Sequence, residues 1–107
     1  MFREFCAAAL LAAVPLSAVF AAEAKPVVVT IHDNSFTPAV LTVPKGTAVS
    51  WVNRDDYLHS VLDEGGQIES PSLEAGETFS WTFGEAGSFI YHCGVHGSMT
   101  GRIDVTP

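Results

Sequence analysis

An alternation of apolar and polar residues with a period of two constrains the fold of this 107-residue chain more than any other feature. It is clearest where Phe79, Trp81 and Phe83 alternate with Ser80 and Thr82. Because successive side chains of a β-strand point to opposite faces, this pattern predicts a strand with one buried face. Strands are predicted in the same way in five further runs, at residues 27–32, 39–43, 47–53, 89–93 and 103–105.

Turn signals lie between these runs. Pro44 presets a turn and Gly46 accepts a positive φ, and glycines recur at residues 63–66 and 84–87. Many short strands separated by such turns are typical of two packed sheets, and the length allows one domain. We therefore predict an all-β fold, a Greek-key β-sandwich.

The first two dozen residues have the pattern of a secretory signal peptide. Arg3 gives a weakly basic start, and an apolar run rich in Ala and Leu follows. Small residues come next, so cleavage is predicted after Ala21 or, from an Ala-x-Ala match, after Ala24. The chain is therefore predicted to divide into a signal peptide at residues 1–24 and one domain at residues 25–107.

Export through such a signal predicts a periplasmic protein. The apolar stretch is interrupted by Pro15 and Ser17 and is short for a membrane span, so no stable membrane insertion is expected after cleavage. Glu4 weakens the basic region of the signal, which leaves an uncleaved N-terminal anchor open as the alternative.

A chain that begins at Lys25 is strongly acidic. Without Arg3, Glu4 and Glu23 it has four Lys and Arg against ten Asp and Glu, a formal net charge of −6. This sign excludes nucleic acid as a natural partner, because the phosphate backbone attracts basic surfaces. A basic protein partner is favoured, although an acidic surface that only aids solubility would have the same composition.

One cysteine is left after the predicted cleavage. Cys6 lies ahead of the apolar core of the signal, so Cys93 is the single thiol of the mature chain. Cysteines in oxidising compartments normally pair, and an odd thiol there needs a reason. Ligation of a metal ion supplies one.

Cys93 belongs to a group of residues with metal-binding chemistry. Cys93, His96 and Met99 form a C-x2-H-x2-M motif between the last two predicted strands, and His59 comes from an earlier segment. Zinc and iron–sulfur sites collect several thiolates, and a thioether adds little for zinc. Two imidazoles, one thiolate and a weak thioether are the ligand set of a blue-copper electron-transfer site.

At these residues the chain resembles the cupredoxins, and among them the amicyanins. Besides the ligand motif, it shares Tyr91-His92 directly before the cysteine and the strand at residues 49–54 that runs towards the first histidine. The resemblance extends over residues 27–105. It implies an eight-stranded Greek-key sandwich with copper at one end.

The resemblance also implies roles for the site residues and a function. His59, Cys93 and His96 correspond to the equatorial ligands of one copper ion, and Met99 corresponds to the axial ligand. Such proteins carry one electron between redox partners by Cu(I)/Cu(II) cycling, and amicyanins serve amine dehydrogenases and c-type cytochromes. We therefore expect a monomeric electron carrier with partners of these kinds.

Two other functions use related sites. Copper oxidases and nitrite reductases contain such domains but need further copper ions, histidines and domains, so an enzyme is not predicted. A periplasmic copper carrier or chaperone stays open as the alternative. Such carriers favour open sites rich in Met and His, whereas the predicted mature chain has one methionine.

Three residues near the predicted site depart from the amicyanin pattern. Ser60 replaces an asparagine that holds the ligand loop in that family, and Val95 and Gly97 replace prolines on either side of His96. We expect a softer loop for this reason. Val95 also has a backbone N–H that could donate to the Cys93 sulfur, which would raise the reduction potential.

The surface around His96 is predicted to meet the redox partner. Leu58, Val95, Phe36 and Pro38 are expected to surround the exposed edge of this histidine with apolar surface. Small apolar patches of this kind allow weak and quickly reversed docking.

Other polar residues have simpler predicted roles. Asp55, Asp56 and Glu64 are expected at the surface, where they would steer a basic partner without adding much affinity. His92 neighbours the cysteine on a strand and should point to the opposite face. His32 is expected at the surface.

Overall fold

The computed structural model describes residues 27–107, which form eight β-strands. In chain order the strands are β1 (Val27–His32), β2 (Ser35–Thr37), β3 (Val40–Pro44), β4 (Ala48–Asn53), β5 (Leu62–Asp63), β6 (Thr78–Thr82), β7 (Gly87–His92) and β8 (Thr100–Thr106). The predicted signal peptide, its two cleavage positions and Cys6 lie outside the described residues. Within residues 27–107 there is no helix that could cross a membrane.

The strands form two four-stranded sheets that pack face to face. One sheet has the order β2-β1-β4-β6, and the other has the order β3-β8-β7-β5. The pairs β1–β4 and β3–β8 are parallel, and the remaining pairs are antiparallel. Strands that are neighbours in a sheet are mostly not neighbours in sequence, as in a Greek key. The predicted all-β Greek-key sandwich is confirmed.

Aromatic side chains join the two sheets across the core. Trp51 of β4 is fully buried, and its ring centroid lies 5.5 Å from that of Tyr91 in β7. The ring centroids of Phe83 and Phe79 also lie close to that of the indole, at 6.4 and 5.9 Å. Because Trp51 and Tyr91 belong to different sheets, their edge-to-face contact stabilises the sandwich itself.

The strands differ from the prediction in two places. All six predicted strands are present, with ends that shift by up to three residues. β2 and β5 were not located from the sequence. They have three and two residues, too few for an alternation of side chains, and their hydrogen-bonded partners define them.

Three connections meet at one end of the sandwich. They are the β1–β2 turn at residues 33–34, the segment between β4 and β5, and the β7–β8 loop. A pair of backbone hydrogen bonds between His59 and Leu73 fixes the middle of the β4–β5 segment, with N···O distances of 3.2 and 2.7 Å. This end holds the predicted ligand residues.

Candidate metal centre

Cys93 lies directly after β7, where the loop to β8 begins, and it is fully buried. Its Sγ lies 3.6 Å from His59 Nδ1 and 4.0 Å from His96 Nδ1. The three ligand atoms all lie within 4.8 Å of one another. A single ion can therefore contact all three, because bonds to such ligands are about 2 Å long.

His59 is oriented by its second ring nitrogen. Its Nε2 lies 2.8 Å from Oδ2 of Asp55, and both side chains are buried. A carboxylate accepts hydrogen bonds, so Nε2 carries the proton and donates it to Asp55. Nδ1 is then left unprotonated with its lone pair towards Cys93, which is the tautomer that a metal ligand needs.

Asp55 is itself held by the β1–β2 turn. Its carboxylate accepts the backbone N–H groups of Asp33 and Asn34 at 2.8 and 3.1 Å. These two residues have φ values of 53° and 57°, the left-handed conformation that directs both N–H groups to one side of the turn. Burial raises the pKa of Asp55, but the two N–H donors and His59 outweigh it and hold this pKa below its usual value.

The expectation that Asp55 lies at the surface and steers a partner is therefore wrong. Asp55 is 6% exposed, whereas its neighbour Asp56 is exposed. Sequence alone could not separate the two carboxylates, because the donors that bury Asp55 come from a turn 21 and 22 residues earlier.

Asn53, at the end of β4, organises the segment that leads to His59. This fully buried side chain donates from Nδ2 to the carbonyl groups of Tyr57 and Leu73, at 2.8 and 2.9 Å. Its Oδ1 accepts the N–H of Asp55 at 2.9 Å. Sequence reasoning did not single out Asn53. The available signal was a polar residue at an inward position of a strand.

The Cys93 sulfur receives backbone hydrogen bonds from two directions. The N–H groups of Ser60 and Val95 donate to Sγ at 3.3 and 3.4 Å. Burial raises the pKa of the Cys93 thiol, but these donors, the His59 ring and the backbone of His96 lower it to about 6. The site therefore favours a thiolate, and the predicted hydrogen bond from Val95 is present.

The ligand loop is closed by its own backbone and by Ser60. The N–H of Cys93 donates to the carbonyl of Met99 at 3.1 Å, and the N–H of Met99 donates to the carbonyl of His96 at 2.9 Å. The hydroxyl of Ser60 accepts the N–H of Gly94 at 2.8 Å. Ser60 therefore ties the loop to the β4–β5 segment. Met99 is 4% exposed, at the end of the loop.

His96 differs from the other two residues of the cluster because it is only partly buried. Around it lie exposed apolar residues: Tyr57, Leu58 and Val95 are 46%, 42% and 51% exposed. The centroid of the Tyr57 ring lies 6.0 Å from that of His96 and 5.1 Å from that of His59. Tyr57 was missed in the sequence, where only its position close to His59 could have indicated it.

Phe36 does not belong to this apolar surface, contrary to the prediction. It is 3% exposed, and its ring packs edge-on against Tyr91 with centroids 4.7 Å apart. The short strand β2 turns this side chain into the core, and β2 was not visible in the sequence. Pro38, which follows β2, is exposed.

The two remaining histidines lie outside the cluster around Cys93. His92 is the last residue of β7 and pairs with Leu62 and Thr100 on the neighbouring strands. The side chain of His32, at the end of β1, is 58% exposed, as expected.

The donor set of this cluster fits a copper ion. The cluster offers a buried thiolate and two imidazole nitrogens, and the loop that carries the thiolate also carries a thioether. These soft and intermediate ligands suit both Cu(I) and Cu(II). A structural zinc site would use four strong ligands, and this cluster offers three. The four side chains are arranged as a type 1 copper site.

Comparisons with known proteins agree with this geometry. Residues 4–105 match the family described as Cupredoxin-like domain. Amicyanin-alpha of Methylorubrum extorquens is 33% identical over 106 residues, which is 94% of this chain and 89% of that protein.

Solved structures give the same result. A Cu(I) amicyanin in which one methionine is replaced by alanine superposes with a TM-score of 0.73 and 31% identity, over 80% of this chain and 89% of that chain. The copper-containing nitrite reductase of Thermus scotoductus also has a TM-score of 0.73, with 33% identity over 78% of this chain. The matched region is 23% of that longer chain.

Proposed function

The chain belongs to the cupredoxin-like family, and from that membership we propose that it is a small exported blue-copper protein that carries one electron between redox partners. One observation carries the proposal. A thiolate and two imidazole nitrogens lie within 4.8 Å of one another at one end of the sandwich, and one of the two imidazoles is partly exposed.

The proposed ligands are held before any metal arrives. We assign His59 Nδ1, Cys93 Sγ and His96 Nδ1 as equatorial ligands and the Met99 thioether as the axial one. Copper bound there supplies a one-electron Cu(I)/Cu(II) couple. Asp55 fixes the ring of His59, and two backbone N–H groups fix the sulfur, so the ligands need to move little when the charge of the site changes.

The proposed route of the electron is through His96. His59 and Cys93 are fully buried, whereas the edge of His96 reaches the surface between exposed apolar residues. The electron therefore has its shortest bonded path to a partner through this imidazole. Tyr57, Leu58 and Val95 form the proposed docking surface around it.

Charged residues beside the docking surface support a basic partner. A cavity of about 390 Å³ opens next to it, lined by Asp56, Tyr57, Leu58, Glu74 and Ala75. Two carboxylates over an apolar floor suit a lysine or arginine of the partner, whose stem is apolar and whose head is charged. A c-type cytochrome or an amine dehydrogenase with a basic surface is the proposed kind of partner.

Export is supported by the signal pattern of residues 1–24. Cleavage after Ala21 or Ala24 would release a periplasmic monomer that contains residues 25–107. N-terminal sequencing of the protein recovered from the periplasmic and the membrane fractions tests this. A mature protein that still begins at Met1 would support the anchored alternative.

A copper carrier is the second candidate, and the burial of the ligand atoms disfavours it. A carrier has to release its ion, which is easier from an open site. Repeated oxidation and reduction in the presence of a copper chelator separates the two functions, since an electron carrier should keep its copper throughout.

The docking surface is tested by one charge placed at its centre. Val95→Glu should slow electron transfer to a cytochrome acceptor by about tenfold or more, because the contact would bury an unpaired carboxylate. Val28→Glu is the matched control, since Val28 is 48% exposed near the start of β1, in the sheet that does not carry the ligand loop. Asp56→Asn should mainly weaken the salt dependence of the rate. Equal rates for Val95→Glu and the wild type would place the exit of the electron elsewhere.

A further inference from the structure

A second group of side chains that could bind a metal lies next to the proposed copper ligand His59. His32 ends β1, Asp33 begins the β1–β2 turn, and Asp55 faces this turn from the β4–β5 segment. One ligand atom from each of the three lies within 4.8 Å of the other two. His32 Nδ1 and Asp33 Oδ2 are 3.3 Å apart, the separation of two ligands on one ion with bonds of about 2 Å.

The composition of this group favours a divalent transition-metal ion over a hard cation. An imidazole nitrogen is a ligand for zinc, copper and nickel, whereas calcium and magnesium sites are built from oxygen. Two carboxylates bring a charge of −2, so they favour a dication. His32 and Asp33 are 58% and 85% exposed in their side chains, so an ion can reach them from solvent.

The carboxylate of Asp55 is the one ligand of this group that hydrogen bonds hold in place. Its Oδ2 accepts the N–H of Asn34 and the Nε2–H of His59, but its Oδ1 accepts a single N–H, that of Asp33. A carboxylate oxygen has two lone pairs, so Oδ1 keeps one for an ion. The other two ligands can turn towards this oxygen by rotation of exposed side chains.

We propose that His32, Asp33 and Asp55 form a second cation site, with Zn²⁺ or a similar divalent ion as its ligand, and that the Asp55 carboxylate couples this site to His59. The cation site stands on its own geometry. The coupling rests on the proposed function, because it acts through a copper ligand. An ion on Asp55 withdraws charge from the carboxylate that accepts the His59 N–H, which makes the imidazole a weaker donor to Cu(II). The reduction potential of copper should therefore rise when the second site is filled.

Titration of the copper-loaded protein with Zn²⁺ tests the site. Calorimetry should show one Zn²⁺ bound per chain while the copper absorbance is kept, and the copper potential should shift upward. His32→Ala and Asp33→Asn should each weaken Zn²⁺ binding by about tenfold or more and abolish the shift. His92→Ala is the control, because it removes an imidazole on the other sheet, and it should leave both results unchanged.

Three outcomes would overturn the proposal of a second site: no Zn²⁺ binding, binding that is equal in wild type and His32→Ala, or binding only as copper is lost. Zn²⁺ binding that depends on His32 with an unchanged potential would overturn the coupling alone. Failure of the proposed function would look different: copper would be colourless or would not cycle, while the Zn²⁺ affinities of wild type and His32→Ala would still differ.

Discussion

Asp55 controls the candidate site without being one of its four proposed ligands. Its carboxylate receives the N–H of His59 and two N–H groups of the β1–β2 turn, which stabilises its charged form in a buried position. The charge makes the His59 ring a better donor, and the turn keeps the charge in place. A loop far away in sequence therefore determines which nitrogen of His59 faces the sulfur.

Asp55→Asn tests this role. An amide has one acceptor oxygen and one NH2 group, so it cannot replace both carboxylate oxygens: its nitrogen would face either the N–H of Asp33 or the N–H groups of Asn34 and His59. Copper affinity should fall by about 10- to 100-fold, measured by competition with a chelator, and the reduction potential should rise. Asp56→Asn, at the exposed neighbour, should change neither. If the two variants behave alike, Asp55 does not act through His59.

At the residue scale, the sequence predicted the cluster of ligand residues but not the residues that hold them in position. Cys93, His96 and Met99 are close in sequence, and their chemistry alone indicated a shared ion. Asp55 and Asn53 could not be assigned, because their roles depend on partners that only the folded chain brings near. Phe36 was misplaced for a similar reason, since a three-residue strand sets its direction.

At the scale of elements, β7 and β8 position the ligand loop. Tyr91 lies opposite Gly101 across this pair, and the ring lies directly over the glycine. A Cβ atom at Gly101 would overlap the end of the Tyr91 ring, which is fully buried and packed between Trp51 and Phe36. The absence of a side chain at Gly101 therefore allows β7 and β8 to pair where the ligand loop leaves one strand and enters the other.

Gly101→Ala should destabilise the protein by about 1–3 kcal/mol, because a packed core has no room to move the ring. Gly84→Ala is the matched control, since nothing lies within 4 Å of the position of its Cβ. Denaturant unfolding of both variants measures the difference. An unfolding free energy of Gly101→Ala equal to that of Gly84→Ala would show that the ring is free to shift.

The elements themselves were predictable where side chains alternate over five or more residues, as in β4 and β6. β2 and β5 are defined by pairing with β1 and β7 instead. β2 pairs with β1 across a two-residue turn, and β5 pairs with a strand about thirty residues later, but both are too short to show an alternation, so neither strand could be found from the sequence.

At the scale of the whole molecule, the sandwich depends on the contact between Trp51 and Tyr91. The Tyr91 hydroxyl is buried without a hydrogen-bond partner of good geometry. Burial raises the pKa of Tyr91 to about 12, and the nearby Trp51 N–H offsets this only in part. The folded state therefore resists ionisation of this tyrosine, whereas the unfolded chain ionises near pH 10.

Stability should consequently fall as pH rises from 10 towards 12, because the unfolded state loses its proton first. The stabilising effect is complete below pH 10, and a difference of two pKa units corresponds to about 2–3 kcal/mol. Tyr91→Phe should flatten this alkaline decline in the unfolding free energy. Tyr57→Phe should flatten it much less: partial burial and nearby carboxylates also raise the pKa of Tyr57, but this side chain is 46% exposed and solvent screens the effect. Equal alkaline slopes for wild type and Tyr91→Phe would contradict the assignment.

The visible absorption spectrum of the copper-loaded protein tests the central claim most directly. Ligation of Cu(II) by the Cys93 thiolate should give an intense blue charge-transfer band that disappears on reduction and returns on reoxidation. Cys93→Ser should remove the band completely, because a hydroxyl cannot form the soft covalent bond to copper. A copper-loaded wild-type protein that is colourless would contradict the account. A Cys93→Ser variant that keeps the blue band would contradict it as well.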